Sequence, residues 1–194
     1  YGVQELVDGD AGTWSSVPLP AVLASIELQA GLGQPASETW STYIEWVLSS
    51  DDGPLGVLQA MGSQGQGLVD HLQRVLVPFH DCRLPDRDLV HGDLSAGNLL
   101  VRDGRLVAIV DTDAMGPGTR VVDYAWLLRE AYSEHVPAED KALVQLAGQS
   151  VAGRGVLAKC AAATALDIVA FEHGRGEIDC TDLIDCMHQL AEAL

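Results

Sequence analysis

Apolar residues recur at helical spacing over most of the chain, which predicts a largely α-helical protein. The predicted helices cover residues 18–33, a stretch that follows Ser37, and residues 67–80, 121–133, 137–150, 155–173 and 181–193. Between the second and third of these helices, residues 49–67 hold five glycines and predict a loop or a short helix between loops. Residues 1–7 alternate weakly between apolar and polar side chains and predict a strand that ends at a turn.

One segment in the middle of the chain departs from the helical pattern. Apolar runs at 99–101 and 106–110 flank the pair Asp103-Gly104, and an Asp-Gly pair in that position is typical of a tight β-hairpin. The hairpin follows a polar stretch at 91–98 and ends at Asp111. The sequence therefore predicts an α+β fold that is mainly α, with one short hairpin beside a polar turn.

The polar turn and the end of the hairpin carry the candidate chemistry. Because a hairpin returns the chain to its starting point, we expect Asn98 and Asp111 to lie side by side. Amide and carboxylate oxygens suit Mg²⁺, which completes its shell with water and phosphate oxygens. Asp93 lies five residues before Asn98 and would face a substrate hydroxyl, orient it and accept its proton.

Composition narrows the class of protein. The chain of 194 residues has 28 acidic against 11 basic side chains and a formal net charge of -17. This acidity disfavours nucleic acid as a partner and suits a cationic small molecule. No apolar run approaches the roughly 18 residues that cross a bilayer, so no membrane partner is expected. The four cysteines form no tight CxxC pair and indicate reduced thiols in a cytoplasmic protein.

The order of these features resembles a known family. The pattern H-x-D-x4-N at 91–98, followed by an apolar strand that ends in Asp111, resembles the catalytic and metal-binding segments of the aminoglycoside phosphotransferase and choline kinase group. The run from Gly116 to Asp123 resembles the Gly-rich loop and helix that follow in these small-molecule kinases. The resemblance implies a protein-kinase-like fold, ATP and Mg²⁺ as cofactors, and transfer of the γ-phosphoryl group to a hydroxyl of a small molecule.

The resemblance also implies roles for individual residues. Asp93 would be the catalytic aspartate, and Asn98 and Asp111 would bind Mg²⁺. His91 would brace the loop, and Asp123 would fasten it through hydrogen bonds. The backbone that would meet the adenine belongs to Gln4, Glu5, Leu6 and Val7.

Two departures from the family pattern add candidates. Ser95 stands where many relatives begin a His-Pro pair, and it would alter loop or phosphate contacts. Asp113 is an additional carboxylate near Asp111 that could bind the metal, contact the substrate or stay solvated. Three further carboxylates could line a pocket for a cationic substrate but are assigned to a solvated face; they are Glu130, Glu134 and Glu172.

Alternative interpretations of the polar turn explain less of the pattern. A plain Asx turn would account for Asp93 and Asn98 alone, but not for the ordered occurrence of the later aspartates. A metallohydrolase site would need further histidines close by, and His80 and His135 lack the required spacing.

Two hypotheses describe the whole chain. Residues 1–9 are interpreted as the end strand and hinge of a missing N-terminal lobe, and residues 10–194 as the helical C-terminal catalytic and substrate-binding lobe. The first hypothesis is a phosphotransferase seen as a truncated chain, inactive in isolation because the nucleotide clamp is absent. The second is a non-catalytic kinase-like binding module. Asp93, Asn98 and Asp111 together favour the enzyme, since a binding module has no physical need for all three.

Overall fold

The computed structural model describes residues 7–176 and 179–194. The strand predicted over 1–7 lies outside the described residues except for Val7, and so do the adenine-facing candidates Gln4, Glu5 and Leu6. Val7 itself is exposed and belongs to no strand.

Within the described residues, eight α-helices make up most of the fold. They are α1 (Leu19–Glu27), α2 (Trp40–Ser49), α3 (Pro54–Ala60), α4 (Ser63–Leu76), α5 (Val121–Ser133), α6 (Ala138–Ala152), α7 (Arg154–Arg175) and α8 (Thr181–Ala193), with short 3-10 turns at Val77–Phe79 and Ala96–Asn98. The last four match the predicted helices to within two residues at each end. None of the helices in this part of the chain is long and apolar enough to span a membrane.

Helix α1 ends at Glu27, well before the predicted end at residue 33. Beyond Glu27 the chain pairs with a distant segment: the Gly33 N–H donates to the Arg87 carbonyl at 2.8 Å, and the Leu89 N–H donates to the Gln29 carbonyl at 3.0 Å. A Cβ at Gly33 would overlap the backbone of Arg87. The helix therefore stops where this non-local pairing begins.

The glycine-rich stretch at 49–67 is more helical than its composition suggests. It contains α3, and α4 begins at Ser63 rather than near residue 67, so Gly65 and Gly67 lie inside that helix. Gly65 packs directly on the Leu58 carbonyl, where a Cβ would overlap the oxygen. Here a glycine permits a tight corner between two helices instead of forming a loop.

The predicted hairpin is confirmed. Strands β3 (Leu99–Arg102) and β4 (Arg105–Ile109) pair antiparallel. The turn residues Asp103 and Gly104 have φ of 52° and 70°, as a two-residue hairpin turn with two left-handed positions requires. A short strand, β1 (Asp10–Ala11), pairs with the other edge of β3 and completes a three-stranded sheet.

A second sheet has two strands, and one of them leads directly into the polar turn. Strand β2 (Asp88–Val90) pairs antiparallel with β5 (Gly116–Gly118), and Val90 lies opposite Gly116 at one end of the ladder. The polar turn at 91–98 leaves from that end of β2, and α5 follows β5 almost immediately. Hydrogen bonds from His91 and Gly92 to Asp123 place the turn next to the first turn of α5.

Helix α7 forms the centre of the core. All of its residues from Val156 to Leu166 are buried, and many of them are alanines that let α2, α3, α5 and α6 pack closely around it. The one charged residue in this run, Lys159, donates to the Glu45 carboxylate at 2.9 Å and to the Cys82 carbonyl at 2.7 Å. The buried ammonium is thus paired, as a charge in a core must be.

An ion-pair network fixes the start of α5 against the second sheet. Arg120 donates to Asp88 of β2 at 2.9 Å and to Glu27 of α1 at 3.0 Å. The second Asp88 oxygen accepts from the Gly31 N–H at 2.9 Å. Burial alone would raise the pKa of Glu27, but hydrogen bonds from Tyr124 and Arg120 outweigh it and hold that pKa below its ordinary value. One guanidinium thus ties together α1, β2 and α5.

We expect Arg120→Met to lower the free energy of unfolding by about 3 kcal/mol, because the substitution strands the buried Asp88 carboxylate without its cation. Arg102→Met is the matched control. Its pair with Asp8 is exposed and 3.6 Å long, so a change below about 0.5 kcal/mol is expected. Urea unfolding of the three proteins measures both values. Equal effects of the two substitutions would contradict the role given to Arg120.

Candidate active site

A buried carboxylate fixes the beginning of the polar turn. Asp123, in the first turn of α5, is fully buried, and its two oxygens accept from the backbone N–H groups of His91 at 2.9 Å and Gly92 at 3.0 Å. Burial raises the pKa of Asp123, while these two donors and the nearby His91 ring act in the opposite direction without reversing the shift. Asp123, which was expected to fasten the loop, is therefore in direct contact with it.

His91 links the loop to the end of the hairpin. The ring is buried, its Nδ1 accepts from the Asp93 N–H at 3.3 Å, and its Nε2 lies 3.0 Å from the Val110 carbonyl. These partners assign the proton to Nε2, which donates to the carbonyl, and leave Nδ1 as an acceptor. His91 thus braces the backbone of Asp93 against the residue that precedes Asp111.

Asp93 and Asn98 are joined directly. The Asn98 amide nitrogen donates to the Asp93 backbone carbonyl at 2.8 Å and to its carboxylate oxygen at 3.1 Å. Because both contacts use the nitrogen, the Asn98 amide oxygen points away from Asp93, and within the described residues it has no hydrogen-bond partner. Both side chains are half-buried, so one end of this pair is open to solvent.

The hairpin returns the chain to Asn98 as the sequence predicts. Leu99 pairs with Ile109, and the Val110 N–H donates to the Asn98 carbonyl at 2.9 Å. Asp111 follows at once with a φ of 59°, a left-handed conformation that ends the strand. In residues 7–176 and 179–194, the carboxylates of Asp111 and Asp113 are exposed and have no hydrogen-bond or ion-pair partner.

The available oxygens fit a hard divalent cation. Asn98 offers an amide oxygen that has no hydrogen-bond partner among the described residues. Asp111 directly follows Val110, whose N–H donates to the Asn98 carbonyl, and it offers an exposed carboxylate. The described residues contain no cluster of three or more His, Cys, Asp or Glu side chains that could hold a metal. A set of one carboxylate and one amide is instead typical of Mg²⁺, which usually keeps several waters and substrate oxygens.

The remaining candidate, Ser95, participates through its backbone. Its N–H donates to the Asp93 carbonyl at 3.1 Å, and its carbonyl accepts from the Asn98 N–H at 3.1 Å. Its hydroxyl makes no hydrogen bond to any described residue. Ser95 therefore shapes the turn between the two site residues, and its side chain is left for other contacts.

Glu130 was assigned to a solvated face, and the structure corrects that assignment. Both of its oxygens lie within hydrogen-bond distance of the Ala96 N–H, at 2.9 and 3.2 Å. Burial raises the pKa of Glu130, and the Ala96 N–H and the Arg129 guanidinium oppose the shift. The sequence did hold a signal: Glu130 follows Asp123 by seven residues, which puts both on one face of α5.

An acidic cavity opens beside Glu130. Its volume is about 310 Å³, and it lies between the second half of α5, α7 and the start of α8. Its charged lining residues are Arg129, Glu130, Glu134 and Glu172. Arg129 is buried and stacks on the Trp126 ring at 4.0 Å, and burial lowers its pKa to about 10 although Glu130, Asp93 and two further carboxylates oppose the shift. Three carboxylates against one guanidinium leave this cavity with a net negative charge.

Comparisons with known proteins give a family match and several structural matches. A family model described as the phosphotransferase enzyme family matches residues 19–160, whereas a search of curated proteins gives no match. A solved structure of a thermostable mutant of aminoglycoside phosphotransferase APH(4)-Ia, apo form, has a TM-score of 0.70 at 17% identity and covers 97% of this chain and 70% of that chain. Its ternary complex with AMP-PNP and hygromycin B has a TM-score of 0.69 at 18% identity, with 96% and 70% covered. Choline kinase LicA from Streptococcus pneumoniae has a TM-score of 0.57 at 13% identity, with 96% and 66% covered.

At these identities the solved structures show a shared fold, that of kinase-like small-molecule phosphotransferases. The mainly helical α+β architecture predicted from the sequence is confirmed. The family model covers well over half of the chain, from α1 into α7, and includes the polar turn, the hairpin and Asp123. The chain therefore belongs to the phosphotransferase enzyme family.

Proposed function

We propose that the protein is an ATP- and Mg²⁺-dependent phosphotransferase that transfers the γ-phosphoryl group to a hydroxyl of a small molecule. The observation that carries the proposal is the direct contact between Asp93 and Asn98 at the point where the hairpin returns Asp111. The family match supports it. So does the ternary complex of an aminoglycoside phosphotransferase of the same fold, which contains the ATP analogue AMP-PNP together with hygromycin B.

In this proposal Asp93 is the catalytic residue. Its carboxylate accepts a hydrogen bond from the acceptor hydroxyl, orients the hydroxyl oxygen toward the phosphorus, and takes the proton as the new bond forms. The contact from Asn98 restricts the Asp93 carboxylate, and His91 braces the Asp93 backbone. Since phosphoryl transfer needs little covalent work from the protein, this restriction is the main contribution of the loop.

Asn98 and Asp111 would hold Mg²⁺ through an amide oxygen and a carboxylate. When bound, the ion neutralises charge on the phosphate oxygens during transfer. Asn98 has a further role, because the same side chain that offers an oxygen to the metal donates its N–H groups to Asp93. The Asn98 amide would thereby link the position of the metal to the position of the Asp93 carboxylate.

Residues 10–194 act in this proposal as the catalytic and acceptor-binding lobe. The acidic cavity lined by Glu130, Glu134 and Glu172 lies next to the loop that carries Asp93 and suits an acceptor with a positive charge. The cysteines of the described residues are all free thiols, which supports a reducing, cytoplasmic setting.

Asp93→Asn in the full-length protein is expected to lower kcat by at least about a hundredfold, because the amide cannot accept the hydroxyl proton. Asp103→Asn is the matched control, since Asp103 is an exposed turn residue in a left-handed conformation that Asn also adopts. Transfer of label from γ-labelled ATP to a panel of amino sugars and amino alcohols measures turnover, and thermal unfolding checks the fold. Full turnover in Asp93→Asn would refute the proposed role. Absence of transfer by the unmodified protein across the panel would favour a binding module.

Asp111→Asn is expected to raise the Mg²⁺ concentration for half-maximal activity by about tenfold or more, because a charged ligand becomes neutral. Asp113→Asn removes the same charge two residues away and should shift that concentration by less than about threefold if Asp113 is solvated. A Mg²⁺ titration at saturating ATP distinguishes the two. A larger shift in Asp113→Asn than in Asp111→Asn would reverse the ligand assignment.

Glu130→Gln is expected to lower the free energy of unfolding by about 1 kcal/mol and to speed hydrogen exchange in the 91–98 loop, because the amide keeps an acceptor for Ala96 but loses the charge. Glu134→Gln makes the same chemical change directly after the last residue of α5, without the loop contact, and is the control. Chemical denaturation with exchange mass spectrometry measures both effects. Unchanged exchange in Glu130→Gln would show that the contact does not hold the loop.

A further inference from the structure

The ladder between β2 and β5 stops short of the active-site segments. Its last pair is Val90 with Gly116, and the same register would next place His91 opposite Met115 and Gly92 opposite Ala114. The N–H groups of His91 and Gly92 are not available for such pairs because both donate to Asp123. The backbones that carry Asp93 and Asp111 therefore separate without further sheet hydrogen bonds.

One side chain bridges the two backbones at the next position. Trp40 donates from its indole nitrogen to the Ala114 carbonyl at 3.0 Å. The same edge of the indole, from Nε1 to Cζ2, lies against Gly92, where a Cβ would overlap Cζ2, and Gly92 has a φ of 83°. Trp40 thus contacts the two residues that the ladder register places opposite each other.

The position of Trp40 is itself well fixed. It is the first residue of α2, and the preceding Thr39 forms a reciprocal cap with Thr42, whose N–H donates to the Thr39 hydroxyl at 3.1 Å and whose hydroxyl accepts from the Thr39 N–H at 2.9 Å. Tyr43, one helical turn on, packs edge-to-face on the indole with ring centroids 5.2 Å apart. The indole is consequently held from the helix side as well as from the loops.

The segment at 111–115 depends strongly on this contact. Its only other hydrogen bond within the described part of the chain is local, from the Met115 N–H to the Thr112 carbonyl at 3.0 Å. Apart from Trp40, no side chain among the described residues donates to this segment or accepts from it. Simple core packing does not account for an indole that is only half-buried and bonded to an exposed segment.

We propose that Trp40 is a positioning residue that sets the separation of Asp93 and Asp111 by continuing the β2–β5 ladder as a side-chain rung. Gly92 directly precedes Asp93, and Ala114 follows Asp111 by three residues. The expected effect of Trp40 on catalysis rests on the proposed function, whereas its role in holding the two segments together does not. A change in Trp40 should act on both segments at once.

Two substitutions separate the two contacts of the indole. Trp40→Phe removes the N–H donor and keeps a ring. Trp40→His keeps a five-membered ring with a nitrogen, Nε2, at the same number of bonds from Cβ as the indole nitrogen. The same substitution removes the six-membered ring that lies against Gly92. Trp46→Phe, on the same helix but exposed, is the control.

The first measurement is amide exchange by mass spectrometry on this chain at pH 8, without nucleotide or acceptor. In Trp40→Phe, exchange is expected to rise in both peptides, 91–98 and 111–118, and to stay unchanged in Trp46→Phe. Trp40→His should restore protection at 111–118 relative to Trp40→Phe. A rise in only one peptide, no rise in either, or identical protection in the Phe and His variants would overturn the proposal.

The second measurement is steady-state turnover of the full-length protein. Trp40→Phe is expected to lower kcat by about tenfold with the KM of the acceptor unchanged, which is the size expected from one hydrogen bond in the site. A higher KM at constant kcat would make Trp40 an acceptor contact and contradict a positioning role. If the unmodified protein transfers no phosphate, the proposed function fails, and the exchange result still decides whether Trp40 links the two segments. If Asp93→Asn is inactive but exchange is unaffected in Trp40→Phe, only the rung fails.

Discussion

The candidate site depends on two hydrogen bonds to one buried carboxylate. Asp123 accepts from consecutive N–H groups, those of His91 and Gly92, and each of its oxygens takes one. A carboxylate supplies a separate acceptor oxygen to each donor, and the start of a helix is where a carboxylate is favoured by the helix dipole. Because these donors are withdrawn from the β2–β5 ladder, the chain leaves the sheet at this point and forms a polar turn instead of a longer strand.

Helix α5 extends this control along the whole turn. Arg120 binds β2 just before the helix begins, Asp123 holds the start of the turn, and Glu130 holds Ala96 two helical turns later. Since α5 packs on α7, whose residues 156–166 are all buried, the turn is anchored to the core and not to other loops. Precise placement of a carboxylate for phosphoryl transfer requires such support, because side chains on free loops lose catalytic alignment with small displacements.

The sequence predicted the features that depend on neighbouring residues and missed those that depend on distant ones. The hairpin could be predicted because Asp103 and Gly104 specify its turn locally, and the return of the chain from Asn98 to Asp111 follows from that turn. The end of α1 could not, because it is set by pairing with residues near Arg87. The hydrogen bond from Trp40 to Ala114 spans 74 residues, and no local pattern in the sequence indicates such a contact.

The negative charge around the site explains why the contacts that hold the segments at 91–98 and 111–115 must be rigid. Asp93, Asp111 and Asp113 lie on or beside the two segments, and the neighbouring cavity adds three glutamates against the single guanidinium of Arg129. Under the proposed function, such a field repels a polyphosphate, so a divalent cation at Asn98 and Asp111 is an electrostatic requirement for the nucleotide to approach. The same carboxylates repel one another in the absence of that cation. Contacts made by neutral or buried groups, such as the indole and the Asn98 amide, are therefore the ones suited to keep the segments together before any ligand arrives.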